Sequence, residues 1–591
     1  MRAPRPELLV RASGMAAGSM RRVYQQTNRV NLESKGTGMI NRFLVRASLA
    51  ALLTLAQSLA PASVLTAQEP MPAARQQSVA QAETLDSLRA RIAAHISQPR
   101  FAPAAWGVKV VSLDSGKVVF EQNAQKYFNP ASNAKLYTAA LALDRLGPDY
   151  RIKTSLYSTA RPDATGTLKG DLIVYGRGDP LMTARLNGGD YYRGLEPLAD
   201  QLLSAGVRRV EGDLVGDESY FAGPPVGSGW EWDDLQEYYG AEVSALTVND
   251  NSIDILVKPG ARPGIPCRVT TGPTTSFVTV INRIQTAAKG VESRVVIYRP
   301  LGENIVYVSG RLPVDHKGYI QSIAVHNPAG LFVNLLKDLL ARRGISVTGR
   351  ARVIDWKYRE VTPVDFTKLT ELGAVESVPI KDLVRETLKP SQNLYSQLLL
   401  LQVGANHWPE TWAGSLQGSL AAGGAARPEP APPAPTAPDA RAERTTEELG
   451  LEAMNDLLAR AGVRKGDVLL EEGSGLSRRD VITPNATVAI LSFMSRHQLA
   501  DVYRNALPVA GVDGTLQNRM KGTAAAGNVR AKTGTLRYVY ALSGYVTTAS
   551  GERFAFSILL NNYFNSDKAI AAREDVDAIP IMLAGFSGRS Q

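Results

Sequence analysis

Residues 129–136 read Asn-Pro-Ala-Ser-Asn-Ala-Lys-Leu and combine the start of a helix with two reactive side chains. Pro130 suits the first helical turn, and apolar residues follow at helical spacing from Leu136 to Gly147, which suits a C-cap. Ser132 and Lys135 are three apart, so they share one helix face. A partly desolvated lysine there can lose its charge and accept the serine proton, which makes the hydroxyl nucleophilic. Taken alone, however, Ser-x-x-Lys is more typical of a solvated helix face.

A second segment, Lys-Pro-Ser-Gln-Asn-Leu at 389–394, places two polar side chains between helices. Pro390 ends one helix and Leu394 begins the apolar spacing of another, so Ser391 and Asn393 lie at a helix–helix junction. Being alternate residues, they are able to direct a hydroxyl and an amide into one cleft. In isolation, a serine that caps the second helix is the simpler interpretation.

A third segment, Val-Arg-Ala-Lys-Thr-Gly-Thr-Leu at 529–536, reads as a strand whose glycine allows close backbone approach. Lys532 and Thr533 are able to bind a substrate carboxylate. The backbone N–H of Thr535 is able to polarise a carbonyl group. Taken alone, the segment also fits an ordinary edge strand protected by a lysine.

The three segments in this order resemble the active-serine signature of penicillin-binding proteins and serine β-lactamases. The separation of Ser132 from Ser391 is far longer than a compact β-lactamase needs. Six further segments narrow the resemblance: GRGDPL (176–181), DESYF (217–221), GWEWDD (229–234), SALTVNDN (244–251), EGSGLSR (472–478) and GVDGTL (511–516). With them, residues 85–585 are similar to the DacB-type D-alanyl-D-alanine carboxypeptidases, the class C low-molecular-mass penicillin-binding proteins. The chain departs from the family at Glu472, where Asp is usual and the charge is kept, and in an Ala/Pro-rich insertion at 412–446.

The resemblance implies an α/β (α+β) fold with a transpeptidase/β-lactamase-like catalytic domain and two nested inserted domains. The catalytic domain would have an antiparallel sheet with helices on both sides. It would comprise residues 85–150 and 360–585. The inserted domains would occupy residues 151–359, with the nested one near 240–325.

The resemblance also implies a mechanism. Ser132 would attack the carbonyl of the penultimate D-Ala with Lys135 as general base, and the backbone N–H groups of Ser132 and Thr535 would form the oxyanion hole. Ser391 and Lys532 would relay the proton to the leaving amine. Asn393 would orient the peptide. The residues implied at the substrate are Thr533, Gly534, Asp217, Phe221 and Arg478.

The implied partners are peptidoglycan stem peptides, as substrates, and β-lactam antibiotics, which would acylate Ser132 as mimics of the D-Ala-D-Ala terminus. No metal or organic cofactor is expected. Whether the activity is that of a carboxypeptidase alone or also that of a D,D-endopeptidase on cross-links remains open, as does the oligomeric state. Two rival interpretations are a β-lactamase or esterase and a non-catalytic wall-binding protein. No deacylating base is identified for the first. The intact set of polar residues in the three segments argues against the second.

Composition excludes other classes of protein. The 591 residues are 44% hydrophobic and 21% charged, which is typical of several globular domains and excludes disordered, collagen-like and multi-span membrane proteins. Most of the net charge of +10 lies in residues 1–67, so no nucleic-acid partner is expected. The single cysteine, Cys267, excludes an intramolecular disulfide, and the five scattered histidines argue against a zinc hydrolase.

The N-terminal segment has the pattern of a targeting sequence. Residues 39–67 combine a basic start, an apolar stretch and small residues near Ala67, which predicts a cleaved secretory signal peptide and export to the periplasm or cell envelope. An uncleaved anchor is the alternative, but the apolar stretch is shorter than a spanning helix needs. Residues 1–38 are predicted to be a disordered upstream extension and residues 68–84 to be flexible. The composition of 412–446 predicts a disordered surface insertion.

Overall fold

A computed structural model describes residues 82–406, 444–564 and 571–591. These residues belong to one compact unit, Val79–Gln591, whereas the second unit, Met1–Ser78, lies outside them. The predictions for residues 1–38 and 39–67, and for most of 68–84 and 412–446, therefore fall outside the described residues. Within the described ranges, no helix is both long and apolar enough to cross a membrane.

The described residues form helices and strands in a mixed order. The helices are α1 (Leu85–Ile96), α2 (Ala134–Leu146), α3 (Glu196–Ser204), α4 (Pro328–Arg342), α5 (Trp356–Val361), α6 (Ile380–Leu388), α7 (Asn393–Asn406), α8 (Thr446–Arg460), α9 (Pro484–Arg496), α10 (Ala500–Ala506) and α11 (Ala572–Gly585). The strands are β1 (Ala105–Ser112), β2 (Val118–Gln122), β3 (Lys153–Ser158), β4 (Thr167–Leu168), β5 (Leu172–Tyr175), β6 (Arg209–Val210), β7 (Leu214–Asp217), β8 (Ser252–Lys258), β9 (Arg268–Gly272), β10 (Thr279–Ala287), β11 (Arg294–Tyr298), β12 (Ile305–Pro313), β13 (Tyr319–Ala324), β14 (Ser346–Val347), β15 (Ala351–Ile354), β16 (Thr370–Glu376), β17 (Val468–Leu469), β18 (Val481–Ile482), β19 (Arg530–Leu536), β20 (Val539–Thr547) and β21 (Arg553–Asn561).

The sheet that carries the third motif is antiparallel, with strand order β19-β20-β21-β1-β2. The side chains along each strand point alternately into two cores, because successive side chains of a strand lie on opposite faces of the sheet. On β21, Phe556 and Ile558 face the core formed with α1 and α11, whereas Ala555 and Leu559 face the core formed with α2 and α9. Helices therefore cover both faces, as the sequence analysis expects for the catalytic domain.

Helices α2 and α7 are the centre of the helical core. Both are buried on nearly every side, which is the pattern of a helix enclosed by protein. A 3-10 turn over Ala131–Asn133 precedes α2, so the α-helix begins at Ala134, later than the position of Pro130 predicts. Gly147 ends α2 with φ 80°, a conformation that suits glycine.

The inserted region forms four further sheets. Their strand orders are β15-β7-β5-β3-β16, β14-β6-β4, β13-β8-β9 and β10-β12-β11, and α3 and α4 share their core. Strand β16, at Thr370–Glu376, pairs antiparallel with β3 at the edge of the first of these sheets. The domain limits given by the sequence stay a prediction.

The start of α8 corrects the predicted end of the insertion. The Thr445 side chain accepts the backbone N–H of Glu448, and the Glu448 carboxylate accepts the backbone N–H of Thr445. This reciprocal capping box starts a regular helix at Thr446, inside the range 412–446 that was predicted to be disordered.

Candidate active site

Ser132 and Lys135 are in direct contact at the start of α2. Lys135 Nζ donates to Ser132 Oγ over 2.9 Å, to Asn393 Oδ1 over 2.6 Å and to the Ser474 carbonyl over 2.5 Å. Lys135 is fully buried, whereas Ser132 is partly exposed. Burial lowers the pKa of Lys135 to about 7, against a weaker opposing effect of Glu472 and Asp480. The amine is thus poised to exchange its proton near neutral pH.

Ser391 and Lys532 form a second serine–lysine pair. Ser391 lies in the turn between α6 and α7 with φ 67°, and Lys532 Nζ donates to its Oγ over 2.8 Å. Lys532 Nζ also donates to the Thr533 carbonyl over 2.9 Å. Burial lowers the pKa of Lys532 well below its ordinary value, and the positive charge of Lys135 acts in the same direction. The two lysines therefore disfavour each other's charge.

Asn393 links the first pair to the inserted region. Its side-chain oxygen accepts from Lys135, and its Nδ2 donates to the Tyr239 carbonyl over 2.9 Å. Both ends of the amide are thereby held, which fixes which end is oxygen. The structure thus brings Ser132, Lys135 and Asn393 together, as the motifs predict.

The loop at 472–478 supplies the third partner of Lys135. The buried Glu472 carboxylate accepts backbone N–H groups of Ser474 (2.7 Å), Gly475 and Leu476 (2.9 Å). These bonds hold the loop that presents the Ser474 carbonyl to Lys135. Gly475 has φ 78°, and an added Cβ would lie 1.9 Å from the Ala131 carbonyl oxygen, so only glycine fits there.

Strand β19 lies against the turn that carries Ser132. An added Cβ at Gly534 would lie 2.6 Å from the Pro130 carbonyl oxygen, so this glycine allows the strand to approach. Asn133 Nδ2 donates to the Lys532 carbonyl over 3.0 Å and ties the turn to the strand. Thr533 Oγ1 donates to Thr515 Oγ1 over 2.8 Å.

The chain matches the model of the D-Ala-D-Ala carboxypeptidase 3 (S13) family over residues 88–421 and 437–581. It belongs to this family. A D-alanyl-D-alanine carboxypeptidase of Actinomadura sp. (strain R39) is 32% identical over 519 residues, which cover 85% of this chain and 86% of the relative. The carboxypeptidase DacB of Haemophilus influenzae is 26% identical over 462 residues, which cover 77% of this chain and 85% of the relative. The predicted activity, a serine-type D-Ala-D-Ala carboxypeptidase, is thereby confirmed.

Solved structures show the same fold. Penicillin-binding protein 4 (dacB) from Haemophilus influenzae superposes with a TM-score of 0.66 at 24% identity, and the match covers 85% of this chain and 98% of that one. A second structure of that protein, complexed with a β-lactam, superposes with a TM-score of 0.59 at 23% identity, over 81% of this chain and 95% of that one. The predicted fold class is therefore confirmed.

Within this S13 chain, two of the further predicted substrate residues are held away from the serine–lysine pairs. Asp217 is fully buried at the end of β7, and its Oδ2 accepts from Arg359 Nη2 over 2.6 Å and from Nε over 3.0 Å. Phe221 is buried in the helical core, where its ring fills the space beside Gly178 and Leu398. Within the described residues, neither side chain makes a hydrogen bond or an ion pair with Ser132 or Lys135.

The Arg478 side chain is partly exposed beside the end of β19. Its Nη1 donates to the carbonyl of Arg537, just past β19, over 2.9 Å, and its Nε lies 3.7 Å from Glu231 Oε2. Arg478 therefore connects the 472–478 loop to β19 and to the acidic segment 229–234.

Sequence reasoning missed two partners of the site, the carbonyl groups of Ser474 and Tyr239. A backbone carbonyl carries no side-chain signal, so no residue pattern identifies it directly. The only available signal was their position in the sequence: Ser474 lies inside 472–478, and Tyr239 lies between 229–234 and 244–251.

Proposed function

We propose that Ser132 attacks the carbonyl of the penultimate D-Ala of a stem peptide and that neutral Lys135 accepts the hydroxyl proton. The observation that carries this assignment is the 2.9 Å contact between Lys135 Nζ and Ser132 Oγ, made by a fully buried amine. A neutral amine has a free lone pair, so the direction of the hydrogen bond to Ser132 reverses before proton transfer. The C–N bond then breaks, D-Ala leaves with a proton, and water hydrolyses the acyl-enzyme.

The backbone N–H groups of Ser132 and Thr535 form the oxyanion hole in this proposal. Support comes from the open edge of β19, where the Ala531 N–H donates outward to the Pro508 carbonyl over 3.0 Å. Amide direction alternates along a strand, so Thr533 and Thr535 direct their N–H groups to the same edge. Strand β19 lies against the turn of Ser132 at Gly534, and two N–H groups there are able to stabilise the developing negative charge.

The second pair delivers the proton to the leaving amine. Ser391 Oγ accepts from Lys532 and is able to pass its own proton on, while Asn393 orients the peptide. Thr533 and Gly534, with Lys532, bind the terminal carboxylate. Burial lowers the pKa of Lys532, whereas a bound carboxylate favours the charged form of this lysine.

The substrate in this proposal is the stem peptide of peptidoglycan, and β-lactams acylate Ser132 in its place. We keep Arg478 as a direct contact because its side chain is partly exposed. Asp217 and Phe221 act indirectly, through the packing of β7 and α7.

Export of the chain belongs to the same proposal, since its substrate lies outside the cytoplasm. Cleavage near Ala67 would then give a mature N-terminus close to Gln68. N-terminal sequencing of the protein from an envelope fraction tests this, and an intact Met1 or Met39 on cytoplasmic protein would contradict it.

The experiment for the nucleophile is labelling with fluorescent penicillin. Ser132→Ala should abolish covalent labelling while the circular dichroism spectrum and melting temperature stay unchanged. Ser204→Ala, at the exposed end of α3, is the matched control and should label like the wild type. Labelling of Ser132→Ala at the wild-type rate would overturn the assignment, and a rapidly lost adduct in the wild type would favour a β-lactamase.

A further inference from the structure

The sheet β10-β12-β11 has one face that no core of the described residues covers. Side chains such as Val295, Val306 and Ile284 point into the core shared with α4. The alternate residues point outward because side chains alternate across a strand. We call these the outer face: Thr279, Ile281, Arg283, Gln285, Ala287, Arg294, Val296, Tyr298, Ile305, Tyr307, Ser309 and Arg311.

The outer face is both aromatic and cationic. It holds two tyrosines and three arginines, and no residue of its three strands is an aspartate or a glutamate. The acidic residues nearest in sequence, Glu292 and Glu303, lie in the loops that flank β11. In the register, Arg294 lies opposite Arg311, so like charges are neighbours at one end of the face. Arg311 Nε donates to the Glu292 carbonyl over 3.1 Å, and a bound anion would reduce the repulsion that remains between the two guanidinium groups.

The aromatic and cationic groups are arranged side by side. The rings of Tyr298 and Tyr307 lie 6.4 Å apart with 31° between their planes, and the Arg283 guanidinium lies 5.7 Å from the centre of the Tyr307 ring. Tyr298 is 51% exposed and Val296 44%. A tilted pair of rings with a cation beside it suits a ligand that has apolar ring faces and carboxylates.

We propose that the outer face binds the intact peptidoglycan polymer and holds the enzyme on the wall away from the catalytic cleft. This rests on the proposed function, because that function makes peptidoglycan the substrate. The polymer offers pyranose rings, whose C–H faces stack on tyrosines, and free stem-peptide carboxylates, which pair with arginines. A second copy of the chain fits less well, since a two-fold interface here would set arginines against arginines.

The test is co-sedimentation of the full-length protein with purified insoluble peptidoglycan. Arg283→Gln combined with Tyr298→Ser changes two exposed side chains of the face. Arg385→Gln combined with Tyr358→Ser is the matched control, because these side chains are similarly exposed on α6 and α5. Since each lost contact is an exposed cationic or aromatic one, the first variant should bind the wall about tenfold more weakly. The control should bind like the wild type, and added salt should weaken wild-type binding.

Soluble D-Ala-D-Ala peptide separates this proposal from the proposed function. Both double variants should hydrolyse it at the wild-type rate, whereas Ser132→Ala should hydrolyse none and still sediment with the wall. Equal sedimentation of the two double variants and the wild type would overturn the proposal. The proposal would also be overturned if the face variant bound the wall like the wild type but no longer bound phosphatidylglycerol vesicles. The same holds if it bound the wall normally but no longer formed a dimer that the wild type forms.

Discussion

Lys135 has the environment that a lysine base requires. Three acceptors surround its amine, and burial lowers its pKa to about 7. Because the neutral form does the work, the acylation rate by a fixed β-lactam should rise with pH up to about 7 and then level off. Stopped-flow labelling between pH 5 and 9 measures this profile. A rate that falls as pH rises through 7 would contradict a neutral base.

Replacing Lys135 separates its basicity from its charge. Lys135→Arg keeps the positive charge but cannot release a proton, so acylation should fall by about 10²–10⁴. Lys521→Arg, at an exposed site, is the control and should acylate normally. If Lys135→Arg instead keeps more than a tenth of the rate, Lys135 provides only an electrostatic field.

Glu472 and Asp480 are two buried carboxyl groups near Lys135, and we expect them to carry one charge between them. Burial and the charge of Glu472 raise the pKa of Asp480 well above its ordinary value, against a weaker opposing effect of the Glu471 backbone N–H. Asp480 Oδ1 accepts the Glu471 N–H over 2.8 Å, whereas buried Oδ2 has no hydrogen-bond donor among the described residues. A protonated Asp480 explains this arrangement.

The two carboxyl groups should therefore respond differently to amide substitution. Asp480→Asn resembles the protonated acid, so acylation and stability should change little. Glu472→Gln places an NH₂ group against backbone N–H donors, which should cost about 1–3 kcal/mol of unfolding free energy and slow acylation. Urea unfolding and penicillin labelling measure both. The reverse ranking of the two variants would show that Asp480 carries the charge.

At the residue scale, sequence reasoning succeeds where the chemistry is local. Ser132 and Lys135 are three apart on one helical stretch, so their contact follows from helix geometry alone. The contacts of Lys135 with Asn393 and of Lys532 with Ser391 are long-range, and only the resemblance indicated them. The burial that lowers the pKa of Lys135 depends on packing from several elements, which no short motif encodes.

At the scale of elements, a strained turn supports the start of α7. Asn249, Asp250 and Asn251 all have positive φ, which is costly for residues other than glycine. Asp250 Oδ1 accepts from the Tyr395 hydroxyl over 2.5 Å, and Oδ2 accepts from Gln392 Nε2 over 3.4 Å. The inserted region thereby holds the turn that carries Ser391 and Asn393.

This support predicts an effect on catalysis from outside the cleft. Asp250→Ala removes both hydrogen bonds and should slow acylation about tenfold or more, since losing one hydrogen bond to a charged group costs about 1.5–3 kcal/mol. Asp250→Asn tolerates the same backbone conformation and should be milder. Acylation kinetics with a soluble β-lactam measure both variants. Asp338→Ala, on the exposed side of α4, is the control. Equal rates for all variants would show that the turn needs no such support.

Other elements show which structural features the sequence encodes. The pairing of β1 with β2 is local, since the short turn at Asp114–Gly116 joins the two strands. The pairing of β1 with β21 joins opposite ends of the chain, and no local pattern specifies such a partner.

At the scale of the whole molecule, the helices on either side of the insertion pack closely. An added Cβ at Gly404 would lie 2.0 Å from the Thr446 carbonyl oxygen, so α7 and the start of α8 are in contact. Thr446 Oγ1 accepts the Ala222 N–H over 2.8 Å, and Gln397 Nε2 donates to Glu447 over 2.6 Å. The start of α8 is thus fixed by contacts outside the insertion.

Deleting residues 412–440 tests whether the insertion matters for the fold. The composition of this segment predicts no core of its own, and a shorter loop lowers the entropic cost of closure only slightly, by about 0.6 kcal/mol per halving. The melting temperature should therefore change little, and the penicillin acylation rate should stay within about twofold of the wild type. Thr445→Ala is the comparison, because losing the cap of α8 should cost about 1 kcal/mol. If the deletion instead destabilises the protein more than Thr445→Ala does, the segment contributes packing that its composition does not reveal.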